Sequence, residues 1–182
     1  MKKKTISLLL ATLLLTGCGK LYTYEKVVSE SKKTIAKDIV IENPGTINRS
    51  NGLKAYTVYL ERDKNKKITV INVQDQLLPF GQSSLCTDFA EVYLVPKFKE
   101  FKKNSKYDSR VLNNIEVSTT DNELHSKCKN LKIIIDCDDK DKYYNAIDEY
   151  IKYLNEDGIY LNKKGTNRYD VYCKDGQKIY QD

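Results

Sequence analysis

The chain has 182 residues, and its 31 lysine and arginine residues outnumber its 25 acidic residues, which gives a formal net charge of +6. Three of the lysines lie within residues 1–17, which contain no acidic residue, so residues 18–182 hold 28 basic and 25 acidic residues and a net charge of only +3. This small positive net charge disfavours nucleic-acid binding, because a protein that binds nucleic acid usually has a concentrated basic surface. The length predicts one domain with its own hydrophobic core.

Residues 1–17 have the three-part layout of a secretory signal. Lysines occupy positions 2–4, an apolar stretch runs from Ile6 to Leu15, and the small residues Thr16 and Gly17 follow. The apolar stretch is about half the roughly 20 residues that a transmembrane helix needs. We therefore expect an export signal that is removed, and not a permanent membrane span.

The four residues Leu15-Thr16-Gly17-Cys18 resemble the lipobox of bacterial lipoproteins. The resemblance implies that the signal is cut before Cys18 and that the thiol of Cys18 carries diacylglycerol, with fatty acids such as palmitate. Two acyl chains anchor a protein stably, whereas a single chain holds it only marginally. Gly19 occupies the position where an aspartate favours retention in the inner membrane, so the resemblance implies the outer membrane, with the protein facing the periplasm.

Residues 18–34 are predicted to be a lipidated N-terminus and tether. Their only aliphatic side chains are Leu21, Val27 and Val28, and the rest of the segment is mostly polar with two tyrosines. So few apolar side chains offer little surface to pack against a core. Residues 35–182 are then predicted to form a single globular domain.

Short apolar or alternating stretches predict most of the strands. They are residues 39–41, 56–60, 68–73, 90–95, 111–117 and 131–136. The second and third of these stretches predict an antiparallel hairpin around a charged turn at 63–67. Pro96 suits the first turn of a short helix that continues to Lys103.

The clearest predicted element is an amphipathic helix over about 140–155. Its apolar residues recur on one side of the helix, at Tyr143, Ile147, Tyr150, Ile151 and Leu154. Residues 168–173 and 177–180 predict a C-terminal β-hairpin around Asp175-Gly176, a strong turn signal. The sequence therefore predicts an α+β fold, a mainly antiparallel sheet with the C-terminal helix packed on one face.

Four cysteines follow Cys18, namely Cys86, Cys128, Cys137 and Cys173. In an exported protein an even number of cysteines predicts disulfides, here two bridges with three possible connectivities. A strand between Cys128 and Cys137 would separate them by roughly 25–30 Å, whereas a bridge requires Cα atoms about 4.4–6.8 Å apart. Of the remaining pairings, Cys86–Cys128 with Cys137–Cys173 is preferred over the crossed alternative.

The sequence predicts no catalytic residue, cofactor or metal site. His125 is the only histidine, and Ser83 and Ser84 lack the G-x-S-x-G turn of serine hydrolases. The acidic residues between positions 136 and 141 are numerous enough to raise calcium binding, but they do not follow the EF-hand pattern. Their placement at the start of the predicted helix favours helix capping and interaction with the helix dipole.

Residues 97–103 form a possible basic and aromatic surface for anionic lipid or an acidic partner. Its members are Lys97, Phe98, Lys99, Phe101, Lys102 and Lys103. The alternative is that the two phenylalanines enter the core while the lysines stay in solvent. The 14 tyrosines of the chain favour protein binding, since tyrosine is enriched at interface hot spots.

These features together predict a membrane-anchored periplasmic lipoprotein that acts as a non-enzymatic protein-binding module. A signal, a lipidated cysteine, a short tether and a compact cysteine-paired domain give a layout that resembles periplasmic immunity lipoproteins, which neutralise toxins delivered by rival cells. The alternative is a structural or assembly lipoprotein of the cell envelope. The predicted partners are the lipid bilayer, through Cys18, and a protein.

Overall fold

The computed structural model describes residues 21–42, 46–47, 53–74, 83–122, 125–162 and 166–179. These residues form an α+β fold of nine strands in two sheets and four α-helices. The strands are β1 (Ile39–Ile41), β2 (Thr46–Ile47), β3 (Lys54–Leu60), β4 (Asp63–Gln74), β5 (Ser83–Thr87), β6 (Glu116–Asn122), β7 (His125–Ile135), β8 (Tyr169–Cys173) and β9 (Lys178–Ile179). The helices are α1 (Tyr24–Thr34), α2 (Val95–Asn104), α3 (Ser109–Asn113) and α4 (Lys140–Glu156).

The first sheet is antiparallel throughout, in the order β1-β3-β4-β5, with β2 also paired to β3. The β3–β4 hairpin turns at Glu61 and Arg62, because Leu60 already pairs with Asp63. The charged turn predicted at 63–67 is therefore wrong, and these residues extend β4 into solvent. The register shifts between the Leu60–Asp63 and Val58–Ile68 pairs, so residues 64–67 lie in an irregular part of the hairpin and are exposed.

The second sheet has the order β6-β7-β8-β9 and contains one parallel pair. Strands β6 and β7 are antiparallel, β7 and β8 are parallel, and β8 and β9 are antiparallel. The chain crosses from the end of β7 to the start of β8 through α4, as a parallel pair requires. The fold thus has two sheets where one mainly antiparallel sheet was predicted.

Two predicted strands are largely helical. Residues 90–95 lie in a π-helical turn (Ala90–Leu94) that runs directly into α2, which carries Pro96 in its first turn. Residues 111–117 divide between α3 and β6, because the side chain of Asp108 accepts a hydrogen bond from the backbone N–H of Arg110 and so caps a short helix. Short apolar runs do not distinguish a buried strand from a buried helical turn.

The predicted tether over residues 18–34 is shorter in the structure, because α1 belongs to the folded domain. Val27 and Ser31 are buried on its inner face, and Tyr22 packs against the main core. Thr23 is the N-cap residue of α1, and its side chain accepts a hydrogen bond from the backbone N–H of Lys26. Val27, Ser31 and Tyr22 together place this polar segment on the domain.

One main core joins both sheets to α1, α2 and α4. The inner face of α4 buries Tyr143, Ala146, Ile147, Tyr150 and Leu154. No helix among the described residues is long and apolar enough to cross a bilayer.

Two disulfides pair Cys86 with Cys128 and Cys137 with Cys173, the connectivity preferred from the cysteine spacing. The first bridge joins β5 of one sheet to β7 of the other, with Cα atoms 5.6 Å apart. The second joins Cys137, two residues after the end of β7, to Cys173, the last residue of β8, with Cα atoms 5.5 Å apart. Loops of this size stabilise the fold by about 4 kcal/mol each in the chain-entropy model.

Candidate functional site

The lipidation site lies outside the described residues. Residues 1–17 and Cys18 therefore remain a sequence prediction, whereas the other four cysteines are in structural bridges. The described residues do show how close the folded domain comes to Cys18. Tyr22 is already fixed by two hydrogen bonds with the side chain of the buried Asn72.

The basic and aromatic surface predicted at residues 97–103 does not form, because both phenylalanines face the core. Phe98 and Phe101 are 3% and 4% exposed, and their ring centroids lie 5.0 and 5.4 Å from that of Tyr150. Lys99 and Lys103 are exposed, and Lys102 is half-buried with its Nζ 5.9 Å from the Phe98 centroid. The outer side of α2 therefore presents lysines without aromatic rings.

The acidic residues before α4 act on neighbouring protein groups. Asp136 Oδ1 accepts a hydrogen bond of 3.2 Å from the backbone N–H of Asp138, and Asp139 Oδ2 lies 2.6 Å from Lys142 Nζ. His125 Nδ1 accepts a hydrogen bond of 3.1 Å from the backbone N–H of Lys127. The part of the chain that the structure describes contains no group of three histidine, cysteine or acidic residues placed to hold a metal.

Two adjoining clefts among the described residues share Arg62, and we call the concave surface that they form the Arg62 groove. The first cleft has a volume of about 300 Å³ and the second a volume of about 380 Å³. The first is lined by Arg62, Asp63, Lys66, Tyr93, Pro96, Lys97 and Glu100. The second is lined by Lys37, Asp38, Arg62, Asn155, Glu156, Asp157, Gly158 and Tyr160.

Three chain segments meet at Asp157, the residue that follows α4. Arg62 Nη1 donates a hydrogen bond of 2.6 Å to the carbonyl oxygen of Asp157. Lys97 Nζ, from the first turn of α2, lies 2.8 Å from Asp157 Oδ2. Arg62 also forms an ion pair with Asp38 across 3.2 Å, although its N–H is not aligned for a hydrogen bond to that oxygen. The groove is thus held by contacts between residues far apart in sequence.

The turn after α4 depends on Gly158. Its φ of 67° lies in the left-handed region that favours glycine after a helix. Its carbonyl oxygen accepts a hydrogen bond of 2.8 Å from the backbone N–H of Lys37, and an added Cβ would lie 3.2 Å from Lys37 Cβ. The glycine therefore lets the chain between α1 and β1 approach α4 and close the second cleft.

Two side chains that line the groove, Lys97 and Tyr93, have raised pKa values. Burial lowers the pKa of Lys97, but hydrogen bonds to Asp157 and Glu100 outweigh it, and the net pKa is above the usual lysine range. Burial raises the pKa of Tyr93 to about 12, and its hydroxyl donates a hydrogen bond of 3.2 Å to the carbonyl oxygen of Asp63. Both groups keep their protons at neutral pH, so they offer charge and hydrogen bonds and cannot serve as general bases.

A second polar cluster lies on the outer face of the second sheet, around Asp170. This carboxylate is 7% exposed, and its Oδ1 lies 2.9 Å from Arg168 Nη2 and 3.0 Å from Lys178 Nζ. Its Oδ2 accepts a hydrogen bond of 3.5 Å from Asn130. A buried carboxylate with two cations and an amide is already fully paired, so this cluster has a structural role in holding β9 to the sheet.

The sequence did not predict the Arg62 groove, and of the residues that line it only Lys97 was among the predicted site residues, as a member of the basic and aromatic surface. The available signals were Gly158 after the predicted helix and an arginine in a hairpin turn, and both are too common to indicate a site. Comparison of the chain with models of protein families, with curated proteins and with solved structures finds no match.

Proposed function

We propose that this chain is a lipoprotein of the bacterial cell envelope, anchored through Cys18 in the outer membrane and facing the periplasm. Its folded domain binds a protein partner and catalyses no reaction. The anchoring part is supported by the signal-like residues 1–17 and the lipobox-like Leu15-Thr16-Gly17-Cys18. The two disulfides support an oxidising compartment, because such bridges persist in exported proteins.

The observation that carries the protein-binding part is the composition and rigidity of the Arg62 groove. Arginine and tyrosine are the side chains enriched at protein interface hot spots, and Arg62, Tyr93 and Tyr160 line the groove. Lysines and carboxylates surround them, which suits a partner with charges of both signs. The ion pairs of Arg62 and Lys97 hold these groups in place before binding, which lowers the entropy cost of association.

The partner class we propose is a toxin delivered by a rival cell, which the domain would neutralise as an immunity protein. This choice rests on the layout of the chain: a lipidated cysteine, a compact disulfide-bonded domain and a recognition groove. A lipid anchor would concentrate the domain at the membrane that an incoming toxin must cross or attack.

Site-specific photocrosslinking in intact cells tests the binding role. A photoreactive amino acid at Lys66, which is exposed and lines the groove, is compared with the same probe at Lys99, which is exposed on α2 outside the groove. We expect one protein to be captured in the presence of attacking cells from position 66 and not from position 99. Equal capture from both positions, or from neither, would contradict the binding role of the groove.

The same experiment separates the two envelope roles. A captured toxin supports the immunity function, whereas a captured resident assembly protein in a culture without attackers would replace it with the structural alternative. The Arg62→Ala variant should lower capture by roughly 30-fold, the loss expected for a hot spot that contributes about 2 kcal/mol. The Lys99→Ala variant is the matched control and should leave capture unchanged.

A further inference from the structure

The folded domain begins very close to the proposed anchor. Tyr22 is held at both of its backbone groups: its N–H donates to Asn72 Oδ1 across 3.3 Å, and its carbonyl oxygen accepts from Asn72 Nδ2 across 2.9 Å. Asn72 lies in β4 and is fully buried. Four residue steps separate Cys18 from Tyr22, and an extended chain of that length spans at most about 14 Å. An acyl group on Cys18 therefore keeps this end of the domain next to the bilayer.

Aromatic rings and lysines cluster at this end, in a surface that we call the N-terminal patch. Its members are Tyr22, Tyr24, Lys26, Lys54 and, beneath them, Tyr56. Tyr24 is 39% exposed, the one large hydrophobic side chain of the described residues that is classed as exposed. Its ring centroid lies 6.3 Å from that of Tyr56, so the exposed ring rests on a buried one.

The lysines of the patch lie over the rings and belong to two separate elements. Lys26 Nζ, on α1, lies 5.9 Å from the Tyr22 centroid, and Lys54 Nζ, on β3, lies 5.4 Å from the Tyr56 centroid. Lys54 pairs directly across the strand from Asn72, which places it beside the point where the chain enters the domain. Lys26 also bridges Glu30 across 2.8 Å, with half of its side chain exposed.

This combination matches the chemistry of a membrane surface. Tyrosine has an apolar ring and a polar hydroxyl, and it is enriched at the boundary between headgroups and water. Each lysine close to an anionic leaflet adds attraction, and its flexible stem lets the charge reach the headgroups. A single exposed tyrosine on a free protein would need no explanation. Its position within a few residues of an acylated cysteine is what points to lipid.

We propose that the N-terminal patch rests on the headgroup layer of an anionic bilayer and holds the domain in a fixed orientation. This proposal rests on the proposed anchoring at Cys18. Strand β4 runs from Asp63, which lines the Arg62 groove, to Asn72 beside the patch. Their pairing partners on β3, Leu60 and Lys54, are six residue steps or roughly 20 Å apart, so docking through the patch turns the groove away from the membrane and toward a partner in the periplasm.

The absence of tryptophan from the chain allows a direct test. The Tyr24→Trp variant has a single tryptophan within the patch. It is expressed with its own signal, purified in the lipidated form and reconstituted in vesicles of phosphatidylethanolamine and phosphatidylglycerol that contain brominated lipid as a quencher. We expect strong quenching of its fluorescence, because the ring lies at the headgroup boundary.

The Tyr59→Trp variant is the matched control. Tyr59 is half-buried on β3 beneath a lysine, with Lys67 Nζ 4.3 Å from its ring centroid, but it lies on the opposite face of β3 from Tyr56 and near the other end of that strand. We expect little quenching of this variant. Equal quenching of the two variants, or no quenching of the Tyr24→Trp variant, would overturn the docking proposal.

Charge reversal tests the contribution of the lysines. Adding Lys26→Glu and Lys54→Glu to the Tyr24→Trp variant should lower the ratio of docked to undocked protein roughly 30-fold through the lost attraction alone, and further through the repulsion of the two glutamates. The same reversal at Lys66 and Lys67, at the far end of β4, should leave the quenching unchanged. An unchanged signal in the first case would contradict the role of the two lysines.

Co-sedimentation of the same samples separates this proposal from the one on which it rests. Protein that fails to sediment with the vesicles shows that the chain carries no lipid anchor, so the proposed anchoring fails and the docking proposal with it. Protein that sediments but is not quenched shows an anchored domain that does not dock, and only the docking proposal fails.

Discussion

Helix α2 and the N-terminal patch both combine lysines with aromatic residues, and they differ in where the rings lie. On α2, Phe98 and Phe101 are buried against Tyr150 while the lysines of the same helix reach solvent. In the N-terminal patch, Tyr24 stays exposed on a buried ring, and the lysines lie over the rings. Only the second arrangement presents aromatic and basic groups on one surface.

The difference comes from what each segment packs against. The two phenylalanines are three residues apart and share one helix face, and α4 supplies a tyrosine for that face. The patch is assembled from α1, β3 and β4, and no single segment of it has a basic and aromatic pattern. A local pattern therefore shows which basic and aromatic residues are neighbours in the chain. The elements packed against that segment determine which of these residues are buried.

The largest expected difference between the two regions is in how much their aromatic rings contribute to the free energy of unfolding. Phe101→Ala removes a buried ring and should lower the free energy of unfolding by roughly 3–4 kcal/mol, because a cavity remains beside Tyr150. Tyr24→Ala should change it by less than about 0.5 kcal/mol, as expected for an exposed position. Urea unfolding of both variants measures this. Equal losses would mean that the two rings are buried to the same extent.

A smaller effect is expected at the hydroxyl of Tyr150, which donates a hydrogen bond of 2.6 Å to the carbonyl oxygen of Leu94. Tyr150→Phe leaves that carbonyl without its buried partner and should lower the free energy of unfolding by about 1–2 kcal/mol. Tyr24→Phe is the control and should have no measurable effect. An unchanged urea midpoint for Tyr150→Phe would show that Leu94 has another donor.

Alkaline pH should destabilise the folded protein through Tyr93, a buried tyrosine near α2. Burial raises the pKa of Tyr93 from 10.0 to about 12. A raised pKa means that the folded protein holds the proton more tightly than the unfolded chain, so the stabilisation is complete below pH 10 and is lost as the pH rises toward 12. Tyr93→Phe should therefore move the alkaline unfolding midpoint upward by a fraction of a pH unit. A downward shift would contradict this assignment.

The smallest expected effects are those of the ion-paired lysines. Lys97 is 23% exposed and bridges both Asp157 and Glu100, whereas Lys26 is 50% exposed and bridges Glu30. Lys97→Ala should cost up to about 1 kcal/mol and Lys26→Ala about 0.3–0.5 kcal/mol, the range of an exposed helix pair. Thermal unfolding at low and high salt measures both. A larger loss for Lys26→Ala would reverse the ranking of the two regions.

Several elements could be predicted from local patterns. Alternation at 56–60 and 68–73 indicates β3 and the central part of β4, and the positions that alternate inward, such as Val58 and Val70, are buried. The apolar residues spaced along α4 are on its buried face. The length of the predicted strand between Cys128 and Cys137 also excluded a disulfide between these two cysteines, and each of them pairs with another cysteine in the structure.

The elements that were missed depend on contacts distant in sequence. Helix α1 has few apolar residues, and its place on the domain depends in part on Asn72, which is 50 residues away from Tyr22. The parallel pairing of β7 and β8 had a signal in the strand, helix and strand at 131–173, but that order also fits an antiparallel sheet. The Arg62 groove joins a hairpin turn to two helix ends, and no local pattern encodes such a meeting point.

The mass of the N-terminal residue tests the account most directly. The protein is purified with detergent from the membranes of a bacterium that expresses the full chain, digested with trypsin and analysed by mass spectrometry. The account predicts a chain that begins at Cys18 and carries diacylglycerol, and a Cys18→Ser variant that lacks the diacylglycerol. An unmodified Cys18, or a mature chain that begins at another residue, would contradict it.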